Sequence, residues 1–218
     1  MGKRIGLIHA TLNAVQPMID AFQRYEPAVT ALNFLDEGLL LAVNEQGGIT
    51  PEILRRFMRL IEKAEEAKVD GILLSCTVFS PYVPLLRQIF SVPIVTVDGA
   101  MLEQAVNMGG RIGVIATVAT AGPTTAKQIE EIARQQGKNV QVNVTVCTEA
   151  FTKLQIDPLA HDQSIREIAL NLAAKADVIV LAQISMARAA ACMEDIQVPV
   201  LTSPQSSIQA IMQQIGNR

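Results

Sequence analysis

Short apolar runs rich in β-branched residues alternate along the chain with longer segments in which apolar positions recur at helical spacing. Such runs are typical of buried strands, and their alternation with helical segments is typical of βαβ units and a parallel sheet. The pattern predicts eight strands, near Ile5–His9, Thr30–Asp36, Gly71–Cys76, Ile94–Val97, Ile112–Thr117, Val140–Cys147, Val178–Gln183 and Pro199–Thr202. We therefore expect an α/β protein with parallel sheets.

Three helix boundaries are marked by the residues that usually occupy them. Thr50 suits an N-cap and Pro51 suits the first helical position, and one apolar stripe follows them, made of Ile53, Leu54, Phe57, Leu60, Ile61 and Ala64. A helix that begins near Ala100 is expected to end at Gly109-Gly110. Ser203-Pro204 predicts the start of a final helix that runs to about residue 215.

The two halves of the chain resemble each other at a nearly constant spacing. Lys3–Ile8 corresponds to Gly110–Ile115 at an offset of 107 residues. Val69–Cys76 corresponds to Ala176–Gln183 at the same offset, and Val92-Pro93 answers Val198-Pro199 at 106. Three matches at nearly one offset indicate a tandem duplication of an α/β unit.

The duplication predicts two pseudo-symmetric parallel-sheet domains. We place the first at residues 1–98 and the second at residues 99–203, with a C-terminal helix at 204–218. Ligands of open parallel sheets bind outside the carboxyl ends of the strands. We therefore expect the active site in a cleft between the two domains, and we expect the final helix to pack back on the first.

Composition excludes several classes of partner. Of the 218 residues, 18% are charged and the net charge is -3, which does not fit the basic surface of a nucleic-acid binder. The apolar runs are too short to span a bilayer, and the basic then apolar N-terminus is read as a first strand rather than a signal peptide. We expect no nucleic-acid or membrane partner, a cytoplasmic location and a homo-oligomer.

Polar and nucleophilic residues stand where the predicted strands end. They are His9, Asp36-Glu37 and Cys76-Thr77 in the first half, and Thr117, Cys147-Thr148-Glu149 and Gln183-Ile184-Ser185 in the second. Cys76 also precedes a predicted helix start, where backbone N–H groups and the helix dipole lower the pKa of a thiol. The role of Asp36-Glu37, as a cap, a binding pair or an interface feature, stays open.

Two segments carry a resemblance to a known family. Ser75-Cys76-Thr77 resembles the first cysteine motif of the Asp/Glu/hydantoin racemases, and Ala116-Thr117-Val118-Ala119-Thr120 resembles their substrate-holding Ala-Thr-x-x-Thr segment. Members of that family are built from two such halves, each with a cysteine after its third strand. The resemblance covers essentially the whole chain. It implies cofactor-independent proton transfer by cysteine on the α-carbon of a small carboxylate.

The chain departs from the family where the second cysteine is expected, because Gln183 stands there. A glutamine amide does not titrate and can neither take nor deliver the proton. We therefore predict a one-thiol enzyme with Cys76 as the catalytic residue and His9 as the candidate second acid/base. The predicted substrate-binding residues are Thr77, Thr117, Thr120, Gln183 and Ser185.

Three functions remain open at this stage. The first is an isomerase acting on an amino acid, hydantoin or dicarboxylate. The second is a single-cysteine decarboxylase of the arylmalonate type, although that enzyme resembles the reverse case, keeping the second-half cysteine. The third is a carboxylate-binding relative without turnover. No metal-ligand spacing or phosphate-binding glycine loop is present, so we expect no cofactor.

The remaining candidates have simpler interpretations. Cys147 and Cys192 are expected to be buried core residues, as unpaired cysteines often are. His161 follows a polar stretch and is expected to be solvated. Leu39, Leu40 and Val43 are expected to line a partly apolar pocket if the loop after the second strand covers the site.

Overall fold

A computed structural model describes residues 2–216 and divides the chain into two compact units. The first unit comprises Met1–Val97 together with Ser207–Arg218, and the second comprises Asp98–Ser206. Within the described residues, no helix has the length and apolar character needed to cross a membrane.

The first unit is a four-stranded parallel sheet with flanking helices. Its elements are β1 (Arg4–His9), α1 (Val15–Tyr25), β2 (Thr30–Leu35), α2 (Gly38–Gln46), α3 (Pro51–Glu66), β3 (Gly71–Leu74), α4 (Val83–Ile89) and β4 (Ile94–Thr96). The strand order is β2-β1-β3-β4, so β1 and β3 are the central pair. A 3₁₀ segment, Thr77–Tyr82, follows β3 and leads into α4.

The second unit has the same architecture. Its elements are α5 (Gly99–Met108), β5 (Arg111–Ala116), α6 (Ala121–Gln135), β6 (Gln141–Val146), α7 (Thr148–Ile156), α8 (Pro158–Ala173), β7 (Val178–Leu181) and β8 (Val200–Leu201). The strand order is β6-β5-β7-β8. A 3₁₀ segment, Ile184–Cys192, follows β7, and α9 (Ser203–Gly216) closes the described chain.

The two sheets also share their register, which confirms the predicted fold of two similar parallel-sheet domains. Ile8 lies opposite Leu74 in the first sheet, and Ile115 lies opposite Leu181 in the second. One loop contact is repeated as well. The Asp70 carboxylate accepts from the Arg4 backbone N–H at 2.7 Å, and the Asp177 carboxylate accepts from the Arg111 N–H at 2.8 Å.

The boundaries of α3 and α5 fall where the sequence predicts them. Thr50 Oγ1 accepts a hydrogen bond from the Ile53 backbone N–H at 3.3 Å, and Pro51 is the first residue of α3. α5 ends at Met108, directly before Gly109, whose backbone is extended. Glycine is required at position 109 because a Cβ there would collide with the Asp177 side chain.

Close packing of a glycine also marks the C-terminal helix. A Cβ added to Gly71, at the start of β3, would lie 2.8 Å from Ile211 Cδ1 and 3.0 Å from Ile215 Cγ2. Both isoleucines belong to α9, whose residues from Ser207 onward group with the first unit. The missing side chain at Gly71 therefore leaves the space in which α9 packs.

The expectation that Leu39, Leu40 and Val43 line a pocket is wrong. Leu39 and Val43 are buried in the hydrophobic core of the first unit, and Leu40 packs against that core. The cause is helical spacing, since residues four apart lie on one face and this face of α2 is turned inward.

Candidate active site

Three of the predicted site residues lie at the carboxyl ends of the central strands of the first sheet. His9 is the last residue of β1, and Cys76 and Thr77 follow β3. β1 and β3 are hydrogen-bonded neighbours, so their ends meet at one edge. Cys76 is 8% exposed and directly precedes the 3₁₀ segment, as the sequence predicts for a thiol at a helix start.

An aromatic pair holds the segment that follows Cys76. Phe79 lies in the 3₁₀ segment and stacks on Phe57 of α3, with ring centroids 4.0 Å apart and planes only 4° from parallel. Both rings are fully buried. The Phe79 backbone N–H also donates to the Cys76 carbonyl at 3.1 Å. The position of Cys76 therefore depends on core packing as well as on its strand.

His9 is fully buried, and both of its ring nitrogens are hydrogen-bonded. Nδ1 lies 2.7 Å from Ser75 Oγ, and Nε2 lies 3.0 Å from Asn33 Oδ1. Ser75 Oγ also lies 3.1 Å from the Ile8 carbonyl oxygen. His9 therefore contacts Ser75, the residue before Cys76, and Asn33 on the edge strand β2.

Burial lowers the pKa of His9 below its usual value of 6.5, although the hydrogen bond to Asn33 acts in the opposite direction. Loss of hydration disfavours the charged imidazolium, so the neutral ring is favoured. A neutral ring that donates from Nε2 to Asn33 Oδ1 has a lone pair at Nδ1. Ser75 has one hydroxyl proton, which it donates to the Ile8 carbonyl in this structure and which only a turn of the hydroxyl would bring to Nδ1.

Gln183 and Thr117 hold the corresponding place in the second unit. Gln183 Oε1 accepts from the Thr117 backbone N–H at 2.6 Å, and Gln183 Nε2 donates to Thr117 Oγ1 at 2.9 Å. Thr117 follows β5 and Gln183 follows β7, which are neighbouring strands. The amide thus ties two strand ends together.

The other two hydroxyls predicted for substrate binding differ in exposure. Ser185 is buried in the 3₁₀ segment after β7. Thr120 is exposed at the N-cap position of α6, and its side chain makes no capping hydrogen bond. The structure therefore groups Thr117, Thr120, Gln183 and Ser185 at the carboxyl edge of the second sheet.

The 107-residue offset pairs each of these positions with a counterpart in the first unit. Cys76 corresponds to Gln183, and Ala10, which the β1–β3 register extended by two residues places across from Cys76, corresponds to Thr117. The polar pair His9–Ser75 corresponds to Ala116 and Ala182, both of which are buried. The first unit therefore carries a thiol beside a buried polar network, whereas the second carries a strand-tying amide beside alanines.

Sequence reasoning did not assign roles to Ser75 and Asn33. Ser75 was part of the cysteine motif, and it is the polar residue that follows the apolar run Gly71–Leu74. Asn33 is the amide residue within the otherwise mostly apolar strand β2. Both residues contact His9 across neighbouring strands, and such contacts cannot be read from the sequence. A polar residue within or next to an apolar strand was the one sign of them in the sequence.

Asp36 has a structural role. Its carboxylate forms an ion pair with Arg56 of α3, with Nε to Oδ2 and Nη2 to Oδ1 distances of 2.6 Å. Oδ1 also accepts from the Gly38 backbone N–H at 3.1 Å. These contacts favour the cap among the alternatives that the sequence left open.

Two of the simpler expectations need correction. His161 is fully buried rather than solvated, because α8 turns a face containing His161, Ile165 and Ala169 inward at four-residue spacing. Cys192 is exposed rather than buried, and its Sγ donates to the Ala189 carbonyl at 2.9 Å. Cys147 is half-buried at the start of α7.

Residues 2–216 contain no group of three or more His, Cys, Asp or Glu side chains that could hold a metal ion.

The chain was compared with known families and proteins. The family model described as Asp/Glu/Hydantoin racemase matches residues 44–211. No curated protein sequence matches the chain significantly.

Several solved racemases share the fold. Glutamate racemase isoform RacE1 from Bacillus anthracis has a TM-score of 0.73 at 16% identity, covering 99% of this chain and 82% of that one. Allantoin racemase from Klebsiella pneumoniae has a TM-score of 0.73 at 17% identity, covering 99% and 88%. Picrophilus torridus aspartate racemase has a TM-score of 0.75 at 13% identity, covering 99% and 95%.

Proposed function

The chain belongs to the Asp/Glu/hydantoin racemase family, and on that premise we propose that it is a cofactor-independent enzyme that transfers a proton on the α-carbon of a small carboxylate. Cys76 is the acid/base group in this proposal. The observation that carries it is the contrast between Cys76, at the end of β3, and Gln183, whose amide is hydrogen-bonded to Thr117.

With a single thiol, the α-carbon is expected to exchange its proton more often than it inverts. The Cys76 thiolate removes the α-proton and becomes a thiol, while the C–H electron pair moves into the substrate carboxylate. The thiol exchanges this proton for one from water and delivers the solvent proton to the carbon from the same side. Because an amide does not titrate, Gln183 supplies no proton to the opposite face. Exchange of the α-proton is therefore expected to exceed inversion.

The charge that develops on the substrate carboxylate needs fixed hydrogen-bond donors. We assign this role to the hydroxyls of Thr77, Thr117, Thr120 and Ser185. Gln183 is included because its amide has a second N–H beyond the one donated to Thr117.

His9 has an indirect role in this proposal. The sequence suggested it as the second acid/base, but its buried ring contacts Ser75 and Asn33. We place it as a group that positions Ser75 and relays protons through that hydroxyl, next to Cys76. The neutral ring favoured by burial is able to accept a proton at Nδ1.

Decarboxylation of an arylmalonate is a second candidate. Loss of carbon dioxide creates the carbanion, and a single thiol then protonates it. The Gln183–Thr117 pair favours this candidate as well, because no group is needed at position 183 for proton removal. Phenylmalonate is the probe that separates the two reactions.

The deciding experiment follows the α-proton in heavy water. L-Aspartate, L-glutamate, allantoin and phenylmalonate are incubated with the protein, and nuclear magnetic resonance records proton loss, inversion and decarboxylation. Cys76→Ser is expected to abolish the reaction, since a serine hydroxyl is far less acidic. Cys192→Ser is the matched control, because Cys192 is exposed and outside the proposed site.

The outcomes separate the candidates. Exchange that depends on Cys76 supports the isomerase proposal, and decarboxylation of phenylmalonate that depends on Cys76 supports the second candidate. Turnover retained in Cys76→Ser contradicts both. A wild type that binds one of the four compounds without exchange or decarboxylation contradicts an enzymatic role for this chain and favours a binding protein.

A further inference from the structure

An ion pair stands at the carboxyl edge of the second sheet and has no part in the reaction described above. Arg188 lies in the 3₁₀ segment after β7, and its Nε donates to Asp162 Oδ2 at 2.9 Å. Asp162 lies near the amino end of α8, the helix that precedes β7. A helix that connects parallel strands runs opposite to them, so its amino end stands at their carboxyl edge.

The Asp162 carboxylate is fixed at both oxygens. His161 Nδ1 lies 2.9 Å from Oδ1, and the Arg188 Nε–H occupies Oδ2. The Asp162 side chain is only 12% exposed, and His161 is fully buried. A partly exposed ion pair contributes little to stability, because solvent screens the Coulomb attraction. These contacts fix the direction in which the Arg188 guanidinium points.

The Arg188 guanidinium uses only Nε within residues 2–216, where neither Nη1 nor Nη2 has a hydrogen bond. The other arginines paired with aspartate in this protein, Arg56, Arg111 and Arg166, each donate at least one Nη to the carboxylate. The Arg188 side chain is also 46% exposed. Its paired Nη groups, the fork that binds a carboxylate through two hydrogen bonds, are therefore available to a ligand.

Ser185 and Arg188 lie on one side of the 3₁₀ segment. This helix type has three residues per turn, so side chains three positions apart eclipse each other, about 6 Å apart along the axis. Ser185 is one of the hydroxyls assigned to substrate binding. Arg188 thus lies one turn after Ser185 on the same side of the segment.

We propose that Arg188 is the specificity residue of this enzyme, binding a free carboxylate of the substrate through Nη1 and Nη2, and that Asp162 and His161 position it. The inference rests on the proposed function and narrows its substrate class. An amino acid or dicarboxylate carries the anion that Arg188 binds, whereas a neutral cyclic ureide such as allantoin does not.

Binding is measured directly by calorimetry, without turnover. The probes are malonate, succinate, L-aspartate and L-glutamate, with allantoin as the neutral comparison. In Arg188→Gln, the affinity for the bound carboxylate is expected to fall about 10- to 100-fold, the usual value of a charge-assisted hydrogen-bonded pair. Arg188→Lys is expected to fall less, because lysine keeps the charge but lacks the planar fork.

Two further variants test whether Asp162 positions Arg188 and whether the loss of binding is specific to Arg188. Asp162→Asn keeps the Arg188 charge but weakens its anchor, so it is expected to raise KM with a smaller effect on kcat. Arg166→Gln removes an arginine that pairs with Asp195 through both Nη groups, and it is expected to bind the probes as the wild type does. Thermal unfolding of each variant shows whether the fold is kept.

The outcomes are separable from those of the proposed function. Carboxylate binding that is lost in Arg188→Gln supports the inference even if no proton exchange occurs. Equal binding by wild type and Arg188→Gln contradicts it, whatever the exchange experiment gives. Binding of none of the four carboxylates, or tighter binding of allantoin than of any of them, also contradicts it.

Discussion

Gln183 and Thr117 exchange two hydrogen bonds, at 2.6 and 2.9 Å, in the position that corresponds to Cys76 and Ala10 in the first unit. The two substitutions belong together. A glutamine amide at 183 finds a hydroxyl partner in Thr117, whereas the smaller Ala10 beside Cys76 has no side-chain polar group. The second unit therefore has a link between strand ends at the position where the first unit has a thiol.

The double variant Thr117→Ala/Gln183→Cys reproduces the Ala10/Cys76 pair in the second unit. We expect it to raise the ratio of inversion to α-proton exchange, because a second titratable thiol is then present. Gln183→Cys alone leaves the Thr117 hydroxyl in place, and Gln183→Ser is the control without a thiol. Chiral analysis of the product, compared with deuterium content, gives the ratio. An unchanged ratio would contradict the role assigned to position 183.

Thr117→Val tests the link itself. The substitution removes the hydroxyl that accepts from Gln183 Nε2, so the free energy of unfolding is expected to fall by about 1 kcal/mol. Urea denaturation measures the change, with Thr124→Val as a control at an exposed hydroxyl of α6 that donates to the Thr120 carbonyl. Equal losses in the two variants would show that the Gln183 contact contributes nothing specific.

Stability is expected to depend on pH through His9. Its pKa is lowered in the folded protein, mainly by burial, so the unfolded chain binds more protons at pH values between the folded pKa and 6.5. The contribution to stability is complete above about pH 6.5 and is lost as pH falls towards the folded pKa. His9→Gln is expected to flatten this dependence below about pH 6.5. An unaltered profile would rule out a neutral buried His9 as the cause.

Cys76 is expected to alkylate faster at neutral pH than Cys147 or Cys192, because it directly precedes a helical segment whose N–H groups favour thiolate. Exposure alone would rank Cys192 first, although its thiol donates a hydrogen bond to the Ala189 carbonyl. Mass spectrometry of the native protein after brief labelling ranks all three. If Cys76 reacts last, the proposed acid/base role of its thiolate is contradicted.

The stacked rings of Phe57 and Phe79 are expected to hold Cys76 in place. Phe79→Ala should lower the free energy of unfolding by about 3–5 kcal/mol, the usual loss for a buried phenylalanine. Leu85→Ala, at a 44% exposed position in α4, is expected to have little effect. Denaturant unfolding compares the two, and Cys76 labelling in the folded fraction of Phe79→Ala should slow. Unchanged labelling would show that the stacked rings do not determine the reactivity of Cys76.

The sequence by itself determined the eight strands, the caps at Thr50 and Gly109, and the pairing of Cys76 with Gln183 by a constant offset. These features follow from local spacing, because strand and helix periods and capping residues act within a few positions. The shared cleft, the catalytic residues and the homo-oligomer stay predictions.

Only the tertiary structure decided which polar groups meet. His9 and Ser75, like Thr117 and Gln183, are 66 residues apart, and each pair meets because its two strands are neighbours in a parallel sheet. The burial of His161 and its contact with Asp162 depend likewise on which face of α8 packs inward. Strand order and helix packing arise from burial of the whole apolar surface, a property of the folded chain that no single segment carries.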